Sequence, residues 1–249
     1  MLLKKLPLFI LFAFALQNIS YAQIKTEENS SGFAWGIKGG LTIGTQKWND
    51  SDRSPLFRYH GVAFIESIRN PKSAFYAQAG YHIRGSATRF GPYQDPFTGQ
   101  LRSGFTDGYQ FRNAALSVGV KQKFEFKENI KYYYGFGLRG EYTINTNLQK
   151  SGDVYSLYFP VDDPNTVRRF NGGMDFIGGF EMKFSETIGG VLQFTISPDV
   201  TRQYFQLAIP NVRDPYSGLN TTIPAQNIRN LSLEISLGIR FLRKVIYVD

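Results

Sequence analysis

Eight stretches of this chain alternate large apolar residues with small or polar ones, and the gaps between them switch strictly between long and short. A period of two is the mark of a β-strand whose two faces meet different media. The clearest stretch is 132–145, where Tyr132, Tyr134, Phe136, Leu138, Tyr142 and Ile144 share one face. Tyr133, Gly135, Gly137, Arg139, Glu141 and Thr143 share the other. The same pattern predicts strands near 33–43, 74–88, 111–124, 174–184, 192–200 and 231–241. The stretch near 59–69 reads two ways. One parity turns Val62, Phe64 and Ile68 outward and takes Glu66 with them; the other leaves only Gly61, Ala63 and Ile65 there.

Short polar turns are predicted at Asn70-Pro-Lys-Ser, Lys127-Glu-Asn-Ile-Lys and Ser185-Glu-Thr, and long connections over 44–58, 89–108, 147–171 and 202–227. Charged residues share a face with Gly, Ser and Thr, while the large aromatics take the opposite one. A sheet with that apolar outer face can sit in hydrocarbon only if closure leaves no strand edge unpaired. The fold class is therefore all-β: an eight-stranded antiparallel up-and-down transmembrane β-barrel with long extracellular loops. Short periplasmic turns are the rule for such barrels, which puts both termini in the periplasm and the protein in the bacterial outer membrane as an integral component. A soluble eight-stranded barrel would carry its apolar residues inside. The aromatic strand ends, the loop asymmetry and the N-terminus favour the membrane.

That N-terminus opens Met1-Leu-Leu-Lys-Lys, runs apolar from Leu6 to Leu16 and reaches Ser20-Tyr21-Ala22. A basic start, a short apolar run and small residues before the cut describe a secretory signal cleaved after Ala22. The run is too short to span a bilayer. The expected domains are a cleaved signal over 1–22, a periplasmic segment over 23–32 and the barrel over 33–249. The chain has no cysteine, which excludes disulfides, a thiol nucleophile, thiolate metal sites and a lipid anchor on a mature N-terminal Cys. Aromatics reach 16% and glycines number 25, which suits girdles at two interfaces and close strand packing. The charge of +8 points to lipopolysaccharide or acidic surface polymers as partners in an exported protein, and not to nucleic acid.

The first stretch, Trp35-Gly-Ile-Lys-Gly-Gly-Leu-Thr, resembles the opening Gly-x-Lys-Gly-Gly-Leu/Val-Asn/Ser of the PorT-like outer-membrane β-barrel proteins of Bacteroidota. The signal end Ala22-Gln23 is similar to that phylum's. Where the family often has Tyr-Leu-Glu-Ile-Pro-Leu-Leu, this chain has Arg112-Asn-Ala-Ala-Leu-Ser-Val-Gly-Val-Lys-Gln-Lys-Phe. The resemblance implies an outer-membrane barrel and, through the founding member, an accessory part in type IX-like protein secretion with other envelope or secretion proteins as partners.

Three sets of residues are candidates for function. The inward-facing charges are Lys38, Arg84, Lys121, Arg139, Glu141, Glu181, Lys183, Glu234 and Arg240. An eight-stranded barrel is only wide enough to be filled by side chains, and buried ions must pair, so a salt-bridged plug is expected over a small solute or ion channel. Lys38 and Glu234, on the first and last strands, are expected to pair directly. His82 faces inward near the outer part of the third strand and His60 lies at the outer end of the second, where they could approach one another. No nucleophile and carboxylate complete a catalytic trio, so the two are read as incidental and no catalytic residue is assigned. Neither metal site nor cofactor is expected.

The third set lies in the loops. Asp95-Pro-Phe-Thr-Gly and Asp214-Pro-Tyr-Ser-Gly are near copies, with Asp163-Pro-Asn-Thr a weaker echo, and each is turn chemistry. Tyr93, Phe97, Tyr155, Tyr158, Phe159, Arg168, Arg169, Tyr204, Phe205, Arg213 and Tyr216 crowd these loops. Aromatics and arginine are the side chains that dominate binding surfaces. The leading expectation is an envelope or surface-interaction protein that acts through them.

Overall fold

A computed structural model describes residues 30–48, 53–67, 72–94, 99–150, 160–213 and 218–246. Eight long strands carry it: β1 Ser30–Gln46, β2 Ser54–Ser67, β3 Ser73–Arg89, β4 Thr106–Lys127, β5 Ile130–Thr146, β6 Phe170–Lys183, β7 Ile188–Pro198 and β8 Asn230–Ile246. Each pairs with its neighbours in sequence, and β8 closes on β1. Residues Gly32–Arg243 form one compact unit. The turns after β4 and β6 are short, as predicted. Several strands run further into the long connections than the alternation suggests, β4 starting at Thr106 and β1 ending at Gln46.

The seam shows why the first strand needs its glycines. A Cβ on Gly36 would lie 2.1 Å from the carbonyl oxygen of Ile239, and one on Gly40 would lie 1.9 Å from that of Ile235. Only a residue without a side chain lets the two strands approach this closely. Gly36 and Gly40 of the Gly-x-Lys-Gly-Gly motif are thus accounted for by closure of the barrel.

The outward face is an apolar belt. Leu116, Val118, Leu138, Ile196, Leu233 and Ile235 stand exposed around its middle. Toward the short turns Trp35 packs on Phe241 with ring centroids 4.7 Å apart, and Phe124 on Tyr132 at 5.0 Å. Toward the long loops Tyr142 packs on Phe170 at 4.9 Å. A continuous apolar surface of this extent cannot face water; bounded by aromatics at both ends, it matches a bilayer. The parity of β2 is now decided. His60, Val62, Phe64 and Glu66 are buried and Tyr59 and Ile65 are exposed, because the cations that Glu66 neutralises lie inside.

Beyond the loop end of the barrel the connections build structure of their own. Tyr204–Gln206 pairs with Gln226–Ile228, Ile209–Arg213 with Asn220–Ile223, and Tyr93–Gln94 with Leu101–Arg102. A small apolar core of Trp48, Phe111, Leu148, Val167, Tyr204 and Ile228, with Tyr109 against it, forms a cap. Asp163 makes the predicted turn: Asn165 N donates to its Oδ1 at 2.8 Å and Val167 N to its carbonyl oxygen at 2.8 Å.

Candidate functional site

The lumen holds twelve buried ionisable side chains of lysine, arginine, aspartate and glutamate among the described residues. Six are cations, Lys38, Arg84, Lys121, Lys123, Arg139 and Arg240; six are anions, Glu66, Glu141, Asp175, Glu181, Asp199 and Glu234. Their formal charges sum to zero. Eleven of them fall into two clusters at different depths, set by position along the strands, and Lys38 belongs to neither.

Toward the long loops, Arg139 from β5 is the hub. Its Nη1 lies 2.5 Å from Asp175, its Nη2 2.5 Å from Asp199 and its Nε 3.0 Å from Glu141. Arg84 from β3, fully buried, reaches Glu141 at 2.9 Å and Glu234 at 3.2 Å. Ser117 and Ser197 donate to the two oxygens of Asp175 at 2.6 and 2.7 Å. His82 Nδ1 is 2.9 Å from Glu234, and its ring stacks on His60 with centroids 5.5 Å apart. His60 in turn bridges Thr42 at 2.9 Å and Ser236 at 2.7 Å. The two histidines therefore belong to the buried network and are not incidental.

Toward the short turns, Glu66 from β2 meets Lys121 at 3.0 Å, Lys123 at 2.8 Å and Arg240 at 3.0 Å. Lys123 also reaches Glu181 at 3.0 Å, and Arg240 pairs with Glu181 as well. The Lys121 ammonium sits 4.7 Å from the Tyr133 ring centroid, a cation–π contact that adds to its ion pair.

Three expectations are corrected. Lys38 does not pair with Glu234; its Nζ donates to Gln78 Oε1 at 2.8 Å and to Gln193 Oε1 at 2.9 Å. The reason is register. Gly36 faces Arg240 and Gly40 faces Ser236 across the seam, so Lys38 stands opposite Gly238, and Glu234 lies four residues nearer the loops, about 13 Å along the strand. Lys183 is exposed: its parity is inward, but it is the last residue of β6 and lies beyond the lumen. Tyr204 is no surface anchor; at 0% exposure it is the centre of the cap core.

The rest of the loop set divides. Arg168 and Arg213 are exposed, and Phe205 is half-buried beneath the Arg202 guanidinium at 5.0 Å. Arg169 is tied to Asp162 at 2.7 Å. Tyr93 lies in a two-residue strand, while Phe97, Tyr155, Tyr158, Phe159 and Tyr216 lie outside the described residues. Leu101, Leu207 and Leu219, at 80%, 70% and 70% exposure, are loop-side apolar groups that a search for aromatics missed. In the lumen, Glu66, Lys123, Asp175 and Asp199 were missed too. The last three have inward parity in their strands, whereas Glu66 waited on the parity of β2.

Residues 21–200 match the family described as outer membrane protein beta-barrel domain. No curated protein is significantly similar to the chain in sequence. Among solved structures, the chain is similar to Neisserial surface protein A at 12% identity, covering 86% of this chain and 99% of that one with a TM-score of 0.48. It is similar to OprG of Pseudomonas aeruginosa at 6% identity, covering 89% and 98% with a TM-score of 0.48. A third likeness is to Ail of Yersinia pestis in complex with the heparin analogue sucrose octasulfate, at 10% identity, 86% and 100% coverage and a TM-score of 0.39. None of these likenesses bears on what this chain binds. The family match spans most of the described barrel, and the chain belongs to the outer-membrane β-barrel domain family, as an integral protein of the bacterial outer membrane.

Proposed function

We propose that this protein is a non-conducting barrel that presents its long loops to partners at the cell surface, with its termini in the periplasm. The observation that carries the reading is the charge-balanced lumen: six cations and six anions occupy it, and the apolar cap stands at its loop end. A conducting pore needs groups that an ion can engage and leave, whereas all of these but Lys38 are engaged with one another and Lys38 is held by Gln78 and Gln193. The exposed Leu101, Leu207 and Leu219, with Arg168 and Arg213 on the same side, offer apolar and cationic contact of the kind that binding surfaces use. Lipopolysaccharide and other envelope proteins are the partners this chemistry suits.

Purified protein reconstituted in a planar bilayer tests the reading directly. No stepwise current above the protein-free membrane is expected; discrete openings would replace this reading with a channel. The accessory secretion role rests on the resemblance of the first strand to PorT-like proteins, and Gly36 and Gly40 of that strand serve closure of the barrel. A deletion strain that retains exported cargo in the periplasm would restore that role. An unchanged secreted proteome would remove it.

A further inference from the structure

The β8–β1–β2 face of the barrel carries two hollows at different heights. The upper is a cleft of about 530 Å³ at the loop end, lined by Thr45, Gln46, Lys47, Trp48, Arg53, Arg229 and Leu231. Among the described residues its charged members, Lys47, Arg53 and Arg229, are all cations, while Asp50 and Asp52 lie outside the described residues. Lys47 and Arg229 are exposed and make no ion pair among the described residues. The Arg53 guanidinium lies 3.9 Å from the centroid of the Tyr109 ring and donates to Thr88 at 2.6 Å, and its buried Nε has no hydrogen-bond partner among the described residues. Thr45 and Leu231 have outward parity, so the cleft opens on the lipid-facing side, at the rim.

The lower hollow, about 570 Å³, is mostly apolar, with walls of Ile37, Leu237 and Ile239 and a floor of Gly39, Gly61, Ala63 and Gly238, and it is also lined by Lys38 and Val62, whose side chains are buried toward the lumen. Gly39 and Gly61 are cross-strand partners, so two missing side chains meet and leave a notch in the belt. From Thr45 to Gly39 is six residues of β1, about 20 Å along the strand. At a tilt of about 40° that is roughly 15 Å of depth, half of a hydrocarbon core about 30 Å thick. Leu41 and Ile43 line the path between. A cationic site at headgroup level and an apolar one at the bilayer centre, on one face, have the shape of a single amphiphile.

We infer that this face binds a phosphorylated membrane lipid, its phosphate in the Lys47–Arg53–Arg229 cleft and an acyl chain in the Gly39–Gly61 notch. The site is independent of the loop-contact reading and stands or falls without it. The probe is phosphatidylglycerol added to the full protein in neutral detergent, with bound lipid counted by native mass spectrometry. K47E/R229E should weaken retention about tenfold. G61L should weaken it about threefold: a Cβ at Gly61 meets nothing within 4 Å, so the leucine fills the notch without disturbing the wall. Inorganic phosphate alone should be retained poorly by all forms, and folded-form mobility on gels should be the same for each. Equal lipid retention by wild type and both variants overturns the proposal. So does phosphate binding as strong as lipid binding, which makes the cleft a site for free anions, or a G61L protein indistinguishable from wild type, which removes the acyl chain from it.

Discussion

The molecule is closed in two ways by opposite chemistry. The lumen is held mainly by ion pairs, eleven charged side chains that engage one another with Lys38 bound by amides and Phe64, Tyr76, Tyr133, Ile177 and Val191 packed among them; the cap above it is held by Trp48, Phe111, Leu148, Val167, Tyr204 and Ile228. The difference follows from the solvent outside each region. Around the barrel wall the solvent is lipid, as apolar as leucine, so turning a leucine inward gains little, while charges turned inward escape hydrocarbon and find partners. Around the cap the solvent is water, and burying aromatic and aliphatic surface drives assembly as it does in a soluble protein. One chain is thus folded polar-inside for part of its length and apolar-inside for the rest.

The contrast predicts where substitutions will hurt and how. Arg139→Met strips a cation from among Glu141, Asp175 and Asp199, and breaking a buried pair this way costs about 3–5 kcal/mol. The folded barrel should lose its heat resistance, read from the temperature at which its compact gel mobility disappears. A midpoint that hardly moves would mean that the lumen charges do not hold the wall together. Tyr204→Ala removes the centre of the cap at about 3 kcal/mol, but the loss should stay local. Protease should cut the 199–229 connection sooner while the thermal midpoint of the barrel stays put; a fall in both would show that cap and lumen form one cooperative unit.

Lys38→Met is a gentler probe, because Lys38 is held by two neutral amides and not by an ion pair. A shift of about 1 kcal/mol is expected, the scale of a hydrogen bond. A loss as large as that of Arg139→Met would make Lys38 part of the ionic framework through the field of the lumen as a whole. The smallest effect should come from salt. Raising it from about 0.1 to 0.5 M shortens the Debye length but screens buried pairs weakly, so the midpoint should move by less than about 0.5 kcal/mol. A large drop would show water and ions reaching the lumen, against the proposed plug.

Alternation alone determined most of the barrel. Strand count, the inward face of Arg139 and Glu141, the outward face of Leu138, and the order of short and long connections are local properties, set by the period of two and by turn residues. The same local logic places Asp175 and Asp199 inward. What it could not set was anything that depends on closure. The partner of Lys38 hangs on the β1–β8 register, which shifts Glu234 four residues up the seam. The face of β2 hangs on whether Glu66 finds Lys121, Lys123 and Arg240 across the lumen, from strands far away in sequence. Tyr204, with a loop sequence like that of its exposed neighbours, is buried because Trp48, Phe111, Leu148, Val167 and Ile228 gather around it from separate parts of the chain. Period two is written in consecutive residues; register, stagger and burial beneath a loop are properties of the closed sheet, and only the tertiary structure decided them.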